Sequence, residues 1–312
     1  MKRIAPVQGL TLFFLVGLVL LALLFRNQIP LWRSQIFFYA ILLGLLFVLK
    51  ISSHRRRWEG VGGVLSDLSP IVFIISIYQS LGNMIQYLHA DIDSYLIQID
   101  LLLFGVHPTV WMEQWINPWF TDLMSLAYVS YYFLPVILAV TLYLKGRREE
   151  FHQTMFILTF GYYLSFIGYI LFPAIGPRFT LAHLQTIPLE GSFFTDLVRD
   201  LLNTIEHNKR DCMPSGHTQI ALMVLFLARR HEKSIFTIFF PIVCGLVLST
   251  VYLRYHYVID LVAGTALAIG CIFIAPQLYK LWNVESRKWK VEKKIKRTIH
   301  FAIDYSPLST VR

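Results

Sequence analysis

Charge is scarce in this chain. Asp, Glu, Lys and Arg make up 15% of its 312 residues, against about 25% in a soluble domain, while apolar side chains make up 56%. A water-soluble globule is excluded, because several apolar runs reach the roughly 20 residues that cross a bilayer. Cysteine is scarcer still. Of the three, Cys244 and Cys271 lie in apolar segments and Cys212 lies in a polar loop with no evident partner. That leaves no disulfide framework and no CxxC zinc pattern. The ten histidines are scattered and include no HExxH, so neither a metal nor any other cofactor is expected. No polar linker divides the chain, which points to one all-α, multi-pass transmembrane helical bundle.

Eight spans are predicted, near 7–25, 35–50, 67–88, 121–144, 152–172, 215–228, 235–253 and 257–277. The second and sixth are short. The opening "MKR" followed by an apolar run has the outline of a signal peptide, but the run is long and lacks a small-x-small cleavage site, so it reads as a retained span. With both termini placed in the cytoplasm, 21 of the 28 basic residues fall on the inside, as the positive-inside rule requires. Five of the seven outside cations lie between Arg178 and Arg254, which gives the outer face a local basic character.

Two outer segments have helical apolar periodicity suited to a membrane surface or to packing on the bundle. One is "DIDSYLIQIDLLLFG" (91–105), with Ile92, Tyr95, Leu96, Ile99 and Leu103. The other is "FFTDLVRDLLNTIE" (193–206), with Phe194, Leu197, Val198, Leu201, Leu202 and Ile205. The tail "SRKWKVEKKIKRTIH" is basic. Anionic lipid attracts such a segment, so an anionic membrane surface is the expected partner and nucleic acid is not. Oligomeric state is not legible.

Three polar stretches meet the outer face in this topology. In "DCMPSGHT" (211–218), Ser215 can cap a helix or donate a hydroxyl, Gly216 can admit an anion to the backbone, and the helix start supplies free N–H groups. His217 there can donate a proton near neutral pH. In "YLRYHYVIDL" (252–261), His256 and Asp260 are four apart, so on a continuing helix they share a face. Asp260 opens an apolar run, where a carboxylate needs a partner; pairing with His256 leaves one ring nitrogen as a lone pair. In "LFPAIGPRFT" (171–180), proline and glycine break the helix just before Arg178.

PSGH, a downstream His-x-x-x-Asp and an upstream proline-flanked arginine resemble the three motifs of the type 2 phosphatidic acid phosphatase superfamily. The stretch "IDLLLFGVHP" (99–108) and the proline-rich first motif look more like the branch with inositolphosphorylceramide synthases and related bacterial enzymes. The resemblance implies two added N-terminal spans and a basic loop (1–66), a six-span phosphatase or phosphotransferase core (67–280) and a basic cytoplasmic tail (281–312). It also implies a metal-independent attack by His256 on the phosphorus of a lipid phosphate, giving a phosphohistidine. Asp260 would orient His256 and His217 would protonate the leaving oxygen. Arg178, Ser215 and the amides around Gly216 would hold the phosphoryl oxygens.

Two features depart from the family pattern. No lysine stands in the stretch "GYILFPAIGPR" (168–178) before Arg178, where the family's first motif has one, and Thr250 stands where the third motif has an arginine. Arg254, four residues after Thr250, is the expected substitute on a continuing helix, with Lys209 and Arg210 as helpers. Water as acceptor would make a lipid phosphatase, and an alcohol such as inositol a phosphotransferase. A non-catalytic anion- or lipid-binding or transport protein is the alternative.

Overall fold

The structure, a computed structural model, describes residues 4–52, 61–205 and 208–304. Every regular element among them is helical, as an apolar surrounding that satisfies no backbone group demands. Helices α1 (Pro6–Leu24), α2 (Trp32–Ser52) and α3 (Val61–Leu81) come first. The last stops short of residue 88 and tightens into a 3-10 turn at Ile85–Tyr87.

The fourth predicted span is broken. It consists of α6 (Pro118–Val129) and α7 (Leu134–Leu144), bent by 46°. Pro135 has no N–H to give to the preceding turn, which accounts for the break. Next come α8 (Arg148–Leu171), α11 (Gly216–His231), α12 (Lys233–Tyr252) and α13 (Val258–Asp304).

Among the described residues, six helices are long and apolar enough to cross a membrane, or eight if two bent pairs are counted as spans. The membership differs from the predicted eight. At 16 residues α11 is too short to qualify alone, but it is central and mostly buried, so lipid need not wet it. The other bent pair is α4 (Asp93–Phe104) with α5 (Pro108–Trp111) and the turn to Trp115, which meet at 63°.

The 91–105 helix turns a different face inward than its apolar periodicity suggests. Asp93, Leu96 and Asp100 are buried, while Tyr95 and Leu103 are exposed. In the second periodic segment, α10 (Thr195–Ile205), Val198 and Leu202 bury against the bundle, leaving Leu197 and Leu201 outside.

The core has two main parts that share α8. Phe151 to Leu158 pack with α7, α11, α12 and α13, and Tyr163, Phe166, Tyr169 and Ile170 pack with α1, α2 and α3. At the N-terminal end of α8 lies a charged cluster, with Lys145–Glu232 at 2.7 Å, Arg147–Glu150 at 3.2 Å and Arg148–Asp67 at 3.5 Å. The polar turns carrying Arg178, His217 and His256 gather at the opposite end. Lys2, Arg3, Arg55 to Arg57 and the tail side chains from Glu285 onward lie outside the described residues.

Candidate active site

The 212–217 turn adopts the capping geometry its residues permit. Ser215 is the N-cap of α11: its Oγ accepts the Thr218 amide at 3.2 Å and donates to Thr218 Oγ1 at 3.1 Å. Gly216 also answers a close approach within the protein. A Cβ there would collide with the hydroxyl of Tyr169 on α8. On α13, a Cβ at Gly264 would strike the Ser215 carbonyl, and the Ser215 amide donates to the Asp260 carbonyl at 3.1 Å. The turn and α13 are therefore joined backbone to backbone.

His256 lies two residues ahead of α13, so it shares no helix face with Asp260. The loop brings them together instead. Asp260 Oδ2 accepts the Tyr257 amide at 2.9 Å, the carboxylate half of a capping box. His256 Nδ1 lies 2.9 Å from the Cys212 carbonyl and 3.5 Å from Asp260 Oδ2. A carbonyl only accepts, so Nδ1 bears the proton and Nε2 the lone pair. The Cys212 thiol donates to Asp260 Oδ2 at 2.8 Å. Burial, with the Asp260 charge beside it, pushes this thiol up and keeps it protonated. Cys212 was the cysteine without an evident partner; only the fold supplies one. Cys212 Sγ, His256 Nδ1 and Asp260 Oδ2 lie within 4.8 Å of one another and form the one group among the described residues spaced to hold a metal ion.

His217 faces the open nitrogen. Its Nδ1 is 3.4 Å from His256 Nε2, and the ring centroids are 5.5 Å apart. The His217 ring rests on Tyr128 at 4.5 Å and on Tyr131 at 4.3 Å. Tyr128 stacks on Tyr255 at 4.5 Å, and Arg178 Cζ stands 5.6 Å from the Tyr255 centroid. The sequence offered no motif for these tyrosines.

Arg178, in the short helix α9 (Pro177–Thr180), and Arg254 line one cavity of ≈ 270 Å³ with Arg199, Gln185 and Tyr255. Arg254 arrives there by an unexpected route. Helix α12 ends at Tyr252, Arg254 takes φ +66°, and the Thr250 carbonyl accepts the amides of Tyr255 and His256, both at 3.0 Å. Thr250 and Arg254 thus share no helix face, and the Thr250 hydroxyl donates back to the Val247 carbonyl. Arg254 Nη2 donates to Glu113 Oε1 at 2.7 Å and to the Ile187 carbonyl at 2.6 Å. Its buried Nε has no hydrogen-bond partner among the described residues. Arg210 is drawn away from the helper role by Asp91, at 2.6 and 3.0 Å, and Lys209 is exposed.

The Glu113–Arg254 pair makes a test of its own. Glu113→Ala strands a buried guanidinium, which costs about 3–5 kcal/mol, and the melting temperature in detergent should fall. Adding Arg254→Met should restore part of the loss, whereas independent sites would add their penalties.

A match to the PAP2 superfamily covers residues 95–274. The chain belongs to the PAP2 superfamily. It is 24% identical over 184 residues to a PA-phosphatase related-family protein of Dictyostelium discoideum, which covers 51% of this chain and 33% of that relative. The chain thus spans about a third of the relative's length. No solved structure matches it. With its apolar helices, PAP2 membership makes this an integral membrane protein. All three motif stretches fall inside the PAP2 region, and α1 to α3 precede it.

Four buried carboxylates frame this PAP2 site. Asp93 accepts the Ile175 and Gly176 amides and the Tyr257 hydroxyl, each at 2.9 Å. Asp100 accepts the first two amides of α13, Val258 at 2.8 Å and Ile259 at 2.9 Å. Glu113 takes the Thr186 amide at 3.0 Å and its hydroxyl at 2.8 Å. Asp122 accepts the four amides of Ser192 to Thr195 at 2.8–3.0 Å and the Thr195 hydroxyl at 2.8 Å. A signal for the first two was present: Asp93 and Asp100 are seven apart, hence on one face of α4.

Proposed function

We propose that this protein cleaves or transfers a phosphoryl-containing group of a lipid phosphate through a phosphohistidine on His256, at the non-cytoplasmic face, with both termini in the cytoplasm. The observation that carries the reading is the state of His256. Its Nδ1 proton is held by the Cys212 carbonyl beside Asp260, which leaves the Nε2 lone pair directed toward His217.

In the reaction, Nε2 forms a bond to phosphorus as the ester P–O bond breaks. The leaving oxygen takes a proton from His217, and Asp260 balances the positive charge that develops on His256. Entry of the phosphoryl group parts the two rings. Arg178, the open Nε of Arg254 and the amides of Gly216 and His217 at the head of α11 would meet its oxygens. Ser215 contributes mainly by fixing that helix start. In the second half, His217 takes a proton from the acceptor, and the acceptor oxygen displaces Nε2 from phosphorus. Water as acceptor makes a phosphatase. An alcohol makes a phosphotransferase of the inositolphosphorylceramide synthase kind, the branch that the proline-rich first motif resembles. The positive-inside bias supports the orientation.

The test is a rapid quench of purified protein with phosphorus-labelled lipid phosphate. Label should stay on the protein in base and leave it in acid, and it should be absent from His256→Asn. Free phosphate or labelled alcohol then identifies the acceptor. Turnover with no protein-bound label at any quench time would eliminate the intermediate.

A further inference from the structure

The cavity between α3, the 130–133 bend and α8 has no role in the phosphoryl chemistry, yet His217 is part of its wall. It has a volume of ≈ 310 Å³, within the range of small-molecule sites. Its lining grades from polar to apolar. Near His217 stand Asp211, Tyr78 and Tyr169, with the Tyr78 hydroxyl donating to Asp211 Oδ2 at 2.5 Å. Tyr162 and Phe166 also line it, with Ile75, Phe133 and Leu201, which are exposed by 54%, 58% and 44%. Tyr162, Phe166 and Tyr169 lie at i, i+4 and i+7 on α8, so the cavity follows that helix for about 10 Å. On the other side of His217, the Tyr128–Tyr255 stack leads to the chamber lined by arginines.

We infer that this cavity holds the hydrocarbon side of the leaving alcohol, with its chain running from His217 between α3 and α8 toward the bilayer. The inference rests on the proposed role of His217. A group that protonates the leaving oxygen must touch the alcohol part of the ester, and the alcohol must then occupy space that His217 borders. That space is walled by tyrosine, phenylalanine and isoleucine, so its occupant is an aliphatic chain with a few polar atoms at its head. A larger apolar cavity of ≈ 950 Å³ lies between α12 and the 104–115 segment, but neither histidine lines it.

Two measurements test this. First, Ile75→Trp and Leu201→Trp narrow the rim, and kcat/KM is compared for dioleoyl and dihexanoyl forms of one lipid phosphate. The long-to-short ratio should fall about tenfold or more, the scale on which apolar pockets discriminate. A ratio that does not move overturns the assignment. Second, His256→Asn protein in lipid nanodiscs is irradiated with a lipid phosphate bearing a diazirine in its chain. Label should map to peptides from 74–79, 129–133 and 162–169. Label on 104–115 and 240–251 instead would transfer the chain to the larger cavity and overturn the inference. The labelling needs no turnover. An inactive wild type with the expected label defeats the catalytic reading alone, and an active one with label elsewhere defeats the cavity alone.

Discussion

His256→Asn should lower kcat on lipid phosphate by roughly 10⁴-fold or more, the scale seen when a nucleophile is removed from a set of groups acting together. The size follows from the geometry. His256 alone directs a lone pair into the space before His217, and its tautomer is fixed from behind by the Cys212 carbonyl. No neighbour can take over: the Cys212 thiol points to Asp260 and is held protonated. Asparagine is the sensible replacement because its amide can still donate to that carbonyl, and alanine would leave it a buried orphan. Circular dichroism and gel filtration in detergent should match wild type. A variant that kept a tenth of the turnover would show that phosphorus is attacked by something else.

Asp100→Ala should be among the most damaging substitutions at positions that carry no proposed chemistry. Its carboxylate accepts the first two amides of α13. Hydrogen bonds to a charged group contribute about 1.5–3 kcal/mol each, so losing both in a buried setting should cost about 3–5 kcal/mol and lower the melting temperature in detergent. Asp100→Asn keeps one accepting oxygen and should cost about half as much. Those amides belong to Val258 and Ile259, between His256 and Asp260, so activity should fall along with stability. Hydrogen exchange should speed up at these two amides ahead of the rest of α13. Unchanged exchange there would mean that the helix start is held by other contacts.

The convergence of His217, His256 and Asp260 was legible because polar groups at helix starts come with short-range constraints. A cap residue, a glycine and a histidine at the start of an apolar run, with a second histidine and an acid further on, are local patterns, and the fold brings them to one end of the bundle. The frame was not legible, for three physical reasons. The periodicity of 91–105 marks an apolar face but does not say which face meets protein, and here Asp93 and Asp100 turn inward. The stop of α12 at Tyr252 depends on Arg254 adopting a left-handed backbone, which no glycine or proline announced. The partners of Cys212, Glu113 and Asp122 lie 44 to 141 residues away in the chain or across an outer loop, beyond what spacing can reveal.

The four carboxylates sit within thirty consecutive residues that hold none of the three motif stretches. Function therefore has a second address in this chain. A relative could keep every motif letter and still be inert if its 93–122 stretch drifted. Conversely, grafting the motif segments onto another bundle would transplant the reagents without the jig that aligns them.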